Sequence, residues 1–376
     1  VLTFESGRRV VYKPKDLRCA YQFLDLLAFL NADARSINLP TRQILCRGSY
    51  AWEEYVDERV AVIDAEVSSF FKRFGMFLRV LQLVEGRDFW LDNLRICGGL
   101  PIFVDLECIL HPRLRTEGVG RLIMGLEPEV YQESVLPTAA VTHPIDIPGG
   151  GRQDFGGLSS PGPRLLPLGV WSGYRDQKNG NFWLQQGRIY WNPELAWPQP
   201  DGKLANPVAY LDELESGYRE TQLLLCQRAS GLLGPASPLA GMSNVPVRVL
   251  MRSTWEYLVL LRASLEPTAL LDGNARELAL ANVLSSSPTW GGGDDGGRRL
   301  AISCSELIAL RTLDIPQFYS LPSSTSVMDT SHSEIADVFD GTADDRLRRR
   351  LTEVDSFDIE THARILRDAV NSIARG

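Results

Sequence analysis

Apolar positions along this chain fall into two periods, and the changes between them mark out the elements. In VLTFESGRRVVYKPKDL the apolar residues alternate on either side of Ser6-Gly7, as two antiparallel strands joined by a tight turn would have them. Lys13 ends the second strand, because Pro14 has no N–H to continue a ladder. The period then lengthens: Leu17, Tyr21, Leu24, Leu27 and Leu30 share one helical face, with Asp16 as the expected N-cap. RQILCRG reads as a further strand running into SYAWEEYVD. From Asp64 to Leu83, apolar residues at 67, 70, 71, 74, 77, 78 and 81 form the stripe of a well-packed helix.

Two short β-prone runs, Leu94 to Ile96 and Pro101 to Val104, flank Gly98-Gly99 and predict a hairpin. Residues 140–200, rich in Gly, Pro and Trp, read as a long irregular insertion with short strands such as NFWLQQGRIYWN. Helical patterning returns in AYLDELESGYRETQLLLCQRA and STWEYLVLLRASL, and SSSPTWGGGDDGGRR reads as a loop. The tail DRLRRRLTEVDSFDIETHARILRDAVNSI reads as one amphipathic helix, its short basic face solvated. These elements predict an α+β fold. The chain opens at VLTF without a methionine, in what reads as the middle of a strand, so it is expected to be a piece of something longer.

Composition narrows the function classes. A net charge of −8 opposes a broad nucleic-acid face, which needs clustered Lys and Arg. No apolar run approaches 18 residues, so no membrane span is expected. The six cysteines lack C-x-x-C spacing and do not pair with the four histidines at metal-ligand intervals, which suits reduced, mostly buried thiols in a cytoplasmic protein.

Chemistry concentrates in RDFWLDNLRICGGLPIFVDLECIL. Asp88 is followed five positions later by Asn93, and Asp105 stands beyond the Gly-Gly hairpin. ATP-dependent phosphoryl transfer needs a cation on the nucleotide phosphates, Mg²⁺ held by oxygen ligands, and a carboxylate to orient the incoming hydroxyl. Protein kinases supply these from a strand lysine, an Asp with an Asn five positions on, and a second Asp after a hairpin. On that pattern Lys13 contacts phosphate, Asp88 orients or deprotonates the hydroxyl, and Asn93 and Asp105 hold Mg²⁺, with Glu107 within reach of the same ion. The plainer alternative is that Asp and Asn are serving as ordinary turn formers. PGGGRQDFGG is a weak phosphate-loop candidate, since no clear strand precedes it and no helix follows. The Ser6-Gly7 turn is a better cover for a nucleotide, and Ala51 to Tyr55 is where a kinase hinge would meet adenine.

Over almost its whole length the chain resembles the dehydratase domain of the class II lanthipeptide synthetases, the LanM family. The resemblance is carried by VVYKPKDL, YAWEEYV, RDFWLDN, PIFVDLECIL, SVLPT, VRVLMRSTWEYLVLL and LRTLDIPQFYS, in family order. It implies a two-lobed, lipid-kinase-like core: an N-lobe portion at 1–52 and a large helical C-lobe at 53–376. That lobe would hold the catalytic and metal loops (85–110), the insertion (140–200) and an elimination segment (246–262). The implied reaction is phosphorylation of Ser and Thr in a ribosomal precursor peptide with ATP and Mg²⁺, leaving ADP. Elimination of phosphate then gives dehydroalanine or dehydrobutyrine.

Lys13, Asp88, Asn93, Asp105 and Glu107 carry over as kinase-type residues. Arg248 is implied to grip the phosphate during elimination, with Thr254 hydrogen-bonding at the same site and Arg252 a weaker candidate. The sequence departs from the family at Trp90, where the family usually has His; an indole has no site to accept a proton. The family's elimination-linked Asp and His would precede Val1, and no Cys…Cys-His cyclase set is present, so a cyclase in cis or in trans is the expected partner. The alternatives are a catalytically weakened domain that only binds the precursor peptide, and a kinase without elimination.

Overall fold

Strand β1 (Leu2–Thr3) pairs antiparallel with β2 (Arg9–Lys13) around Gly7, whose φ of 80° suits a residue without a side chain. The computed structural model describes the chain apart from residues 33–37, 116–122, 148–150, 160, 176–178, 181, 195, 267–268, 286–295 and 374–376. Helix α1 (Arg18–Asn31) follows Pro14. Asp16 lies one position outside its N-cap, Leu17, yet accepts the Arg18 N–H at 2.9 Å. The buried face of α1 is broader than the predicted stripe, with Ala20, Phe23 and Leu26 joining Leu24, Leu27 and Leu30, while Tyr21 is exposed.

Strands β3 (Ile44–Cys46) and β4 (Ala51–Glu54) complete a sheet of order β1-β2-β4-β3. Here the hinge expectation fails. Strand β4 is paired with β2 on one edge and β3 on the other, so the Ala51–Glu54 backbone is committed to the sheet and has no free edge for adenine. Tyr55 lies beyond the strand, its ring 4.0 Å from the Arg9 guanidinium.

Helix α2 (Asp64–Leu83) has the predicted bounds, and all seven of its stripe residues are buried. Next come the predicted hairpin, β5 (Leu94–Cys97) and β6 (Leu100–Phe103), and a short helix, α3 (Pro128–Glu133). The 140–200 region is less irregular than its composition suggests. It folds into two antiparallel hairpins, β7 (Pro144–Ile147) with β8 (Gly151–Asp154) and the long β9 (Arg164–Arg175) with β10 (Phe182–Trp191).

Helix α4 (Leu211–Leu233) crosses α2 at a point where both helices have glycine. A Cβ on Gly217 would lie 1.9 Å from the Lys72 carbonyl oxygen, and one on Gly75 1.9 Å from that of Leu214, so only glycine permits this approach. Strand β11 (Val247–Val249), α5 (Thr254–Ser264), α6 (Gly273–Ser285) and α7 (Gly296–Arg311) follow. Then β12 (Phe318–Ser320), β13 (Val327–Met328) and β14 (Glu334–Ile335) extend β11 into a four-stranded sheet. The expected loop at 285–299 lies mostly outside the described residues.

The tail is two helices, α8 (Ala343–Thr352) and α9 (Ile359–Ile373), and not one. Asp358 accepts the Thr361 N–H at 3.1 Å and so caps a second start. One core joins α1, α2, the β5–β6 hairpin, α4, α8 and α9, and a smaller one lies under the β11–β14 sheet. The fold is α+β. Among the described residues no helix is long and apolar enough to cross a membrane. All six cysteines are free, but only Cys19 and Cys108 are buried, so the expectation of mostly buried thiols does not hold.

Candidate active site

The turn leaving α2 builds the first wall of the site. Gly86 N–H reaches back to the Leu81 carbonyl at 2.9 Å, and the chain then runs alongside residues 108–111 through Arg87 N to Cys108 O (2.9 Å) and Leu110 N to Val84 O (2.8 Å). That pairing brings Asp88 to the loop carrying Asp105 and Glu107. Asn93 Nδ2 donates to the Asp88 carbonyl at 2.7 Å, and Val104 N to the Asn93 carbonyl at 2.8 Å, closing the loop over the hairpin. Among the described residues the Asn93 Oδ1 has no donor, so it is the end of the amide left to ligate. Asp88 and Asp105 have φ of 69° and 62°, left-handed values that cost non-glycine residues energy and are held here by the bonds around them.

The cations come from the N-terminal segment and from β11. Lys15 Nζ lies 2.7 Å from Asp105 Oδ1 and 2.6 Å from Glu107 Oε2, while Lys13 Nζ stands farther off, 3.7 Å from Asp105 Oδ1. Arg248, on β11, pairs through Nη1 with Glu107 Oε1, and its backbone N–H donates to the Glu107 carbonyl at 3.0 Å. Glu107 is therefore held by a lysine on one oxygen and an arginine on the other. His111 fastens the same junction: Nε2 accepts the Leu250 N–H at 2.9 Å, and Nδ1 lies 2.8 Å from the Pro112 carbonyl. Burial pushes its pKa down to about 3, keeping the ring neutral in that role.

Burial, reinforced by the Asp105 and Glu107 charges, pushes Asp88 up to about 7 against the pull of Arg248 and Lys15. Burial also opposes ionisation of Asp105, but Lys15, Lys13 and Arg248 outweigh it and hold that carboxyl below its ordinary value. Lys15 itself is raised, since Glu107 and Asp105 more than offset its burial. Beside these groups lies a cavity of about 470 Å³, bounded by Lys15, Asp16, Glu107, Arg248, Gln317 and Tyr319. Tyr319 is the cross-strand partner of Arg248.

Among the described residues no group of three or more His, Cys, Asp or Glu side chains is arranged to hold a metal ion. The donor chemistry nonetheless fits a hard divalent cation. Asp105, Glu107 and the Asn93 amide offer oxygen ligands, and the two carboxylates already share one positive charge, the Lys15 ammonium.

The fold thus brings together Lys13, Asp88, Asn93, Asp105, Glu107 and Arg248. It does not place the other two candidates with them. Arg252 is buried in a pair with Glu306 (2.7 Å) that Tyr257 also joins, and its Nη2 donates to the Leu284 carbonyl at 2.7 Å, so it is a packing cation. Thr254 opens α5 behind the Ser253–Glu256 capping box, and among the described residues no hydrogen bond ties its hydroxyl to Arg248. Trp90 packs near Trp191 and Trp255, with ring centroids 6.1 and 6.4 Å away, and anchors an aromatic cluster against the long hairpin. The phosphate-loop candidate begins outside the described residues. Its Asp154 carboxylate is occupied by the N–H groups of His143 (2.6 Å) and Gly156 (2.8 Å) and by the Thr142 hydroxyl (2.5 Å).

Lys15 was missed by the sequence reading, although KPK repeats lysine at the two-residue spacing that keeps both on one side of an extended segment. Tyr319 and His111 gave no local signal.

A family model described as "Domain of unknown function (DUF4135)" matches residues 1–320, most of the chain, which therefore belongs to that family. The chain is also 23% identical, over 321 residues, to "Lacticin 481/lactococcin biosynthesis protein LcnDR2" of Lactococcus lactis subsp. lactis. The match covers 82% of this chain and 33% of that protein, so the chain spans about a third of the relative's length.

Proposed function

We propose that this DUF4135 protein is a lanthipeptide dehydratase: it phosphorylates Ser and Thr of a ribosomal precursor peptide with ATP and then eliminates the phosphate. One observation supports both halves. Glu107 ties the acidic loops to Arg248, so Asp88, a carboxylate with the pKa of a base at neutral pH, lies within the electrostatic reach of an arginine suited to phosphate. The lactococcal relative, by its name a lacticin 481/lactococcin biosynthesis protein, points to the same substrate class.

Asp88, ionised above about pH 7, accepts the proton of the incoming hydroxyl. Lys13 contacts the nucleotide phosphates. Asn93, Asp105 and Glu107 would hold Mg²⁺, which when bound neutralises charge on the phosphates. Arg248 then holds the phosphate of the monoester as it leaves. In this reading residues 1–52 act as the N-lobe and 53–376 as the C-lobe of a cytoplasmic lipid-kinase-like enzyme. Ring closure falls to a cyclase in cis or in trans.

The test is mass spectrometry of a Ser/Thr-bearing precursor peptide treated with the full-length protein, ATP and Mg²⁺. Each modified residue should lose one water, and Arg248→Ala should leave phosphopeptide. Trp90, held in an aromatic cluster and unable to take a proton, favours a second reading in which the domain binds the peptide without turnover. Binding of the peptide with no ADP formed would select that reading.

A further inference from the structure

A second cavity, of about 350 Å³, opens between the C-terminal half of α2, the end of α8 and the turn before α9. Arg79, Gln82, Glu133, Arg349, Arg350 and Phe357 line it. Arg79 is only 3% exposed, yet among the described residues no carboxylate pairs with it. Its Nε donates to Gln222 Oε1 at 2.9 Å, and its guanidinium carbon lies 4.1 Å from the Phe357 ring centroid. Its two Nη groups make no hydrogen bond among the described residues. Burial without a counter-charge pushes its pKa down to about 10, the mark of a cation in want of an anion.

Its surroundings deepen that want. Arg349 is exposed and, among the described residues, has no ion-pair partner, whereas Arg350 is shared between Glu133 (2.5 Å) and Glu85 (3.3 Å). Arg113 and Arg346 also lean on Glu85, and Arg113 on Glu133. On the cavity wall itself three arginines, Arg79, Arg349 and Arg350, face two glutamates, Glu133 and Glu353, an excess of positive charge in a chain whose net charge is −8. His362, stacked on Phe357 with centroids 4.6 Å apart, adds no charge, because burial pushes its pKa down to about 4.

We infer that this cavity is a binding site for a phosphate group, gripped by the guanidinium groups of Arg79 and Arg349, with Arg350, held by Glu133 and the Gln82 carbonyl, adding positive charge beside them. Planar guanidinium groups suit a tetrahedral oxyanion, whose several oxygens can accept from both arginines at once. The phosphate is either free or carried on a serine side chain, and the volume of about 350 Å³ admits both. The inference stands independently of the reading of the Asp88 cleft.

Titration calorimetry on the full-length Arg248→Ala protein tests it, since that background removes the phosphate contact of the cleft. Inorganic phosphate should bind at one saturable site, and Arg349→Glu should weaken it about tenfold or more, the loss of one charge-assisted contact. Arg79→Gln should do the same. Arg349 is exposed, so its variant keeps the test valid if the buried Arg79 substitution disturbs folding. A phosphoserine peptide that outcompetes inorganic phosphate identifies a peptide source, and the reverse order identifies the free ion; either supports the site. The inference is overturned if Arg248→Ala alone abolishes binding, if Arg349→Glu leaves it unchanged, or if acetate binds as tightly as phosphate.

Discussion

Glu85 and Asp88 stand three residues apart on one turn, both at left-handed φ (48° and 69°), and the fold treats them in opposite ways. Glu85 is buried among Arg113, Arg346 and Arg350; desolvation opposes its charge, but the three guanidinium groups win and hold its pKa at about 2. Asp88 meets two other carboxylates, and desolvation wins, carrying it to about 7. Residue type and backbone strain are alike at the two positions. The charges brought to each decide whether it acts as a fixed structural anion or as a group able to exchange a proton.

The largest expected effect follows from breaking the structural half. Glu85→Gln strands the buried Arg346 and leaves Arg113 and Arg350 with Glu133 alone, and should cost about 3–5 kcal/mol of stability, read by urea unfolding. A loss below about 1 kcal/mol would mean the cluster is not the fixed anchor described here.

Unfolding across pH sharpens the contrast, because the two groups act with opposite sign. Glu85, depressed from 4.5 to about 2, contributes stability that is present above pH 4.5 and is lost as pH falls toward 2. Asp88, raised from 3.8 to about 7, favours the folded state when protonated, so its contribution is lost as pH rises from about 3.8 through 7. In the metal-free protein, Asp88→Asn should remove the decline toward pH 7 and leave the acid limb intact, whereas Glu85→Gln should flatten the acid limb alone. Identical profiles for both variants would dissolve the distinction.

The smallest effect is expected at Lys15, which is half-exposed. Lys15→Met should cost about 1 kcal/mol or less, as partly exposed ion pairs do. It should also raise the pKa of Asp105 by removing its nearest cation, measurable by carboxyl-resolved NMR titration. An unmoved Asp105 would place Lys15 outside the cluster.

The legible parts of this fold were those coded by local pattern. Helix α2 announced itself by seven apolar residues at helical spacing, and the β5–β6 hairpin by Gly98-Gly99 between β-prone runs. Strand β10 was legible in NFWLQQGRIYWN, but its partner β9 was hidden by glycines and prolines that read as loop, and the break before α9 by a cap at Asp358 inside a continuous amphipathic run. Spacing grouped Asp88, Asn93 and Asp105, which the fold holds on neighbouring loops, because that constellation is nearly contiguous in sequence. The Glu85 cluster gave no such signal: Arg346 is 261 residues away in sequence, on a helix whose basic face had read as solvated. That basic face supplies Arg346 and Arg350 to the interior. Long-range charge pairing is set by packing and leaves no periodic trace.

The most direct measurement compares the two positions in one assay, dehydration of a precursor peptide by the full-length protein with ATP and Mg²⁺. Asp88→Asn should remain folded and release neither dehydrated nor phosphorylated peptide. Glu85→Gln should be less stable, yet dehydrate in proportion to its folded fraction. Dehydration by Asp88→Asn at the wild-type rate would contradict the account.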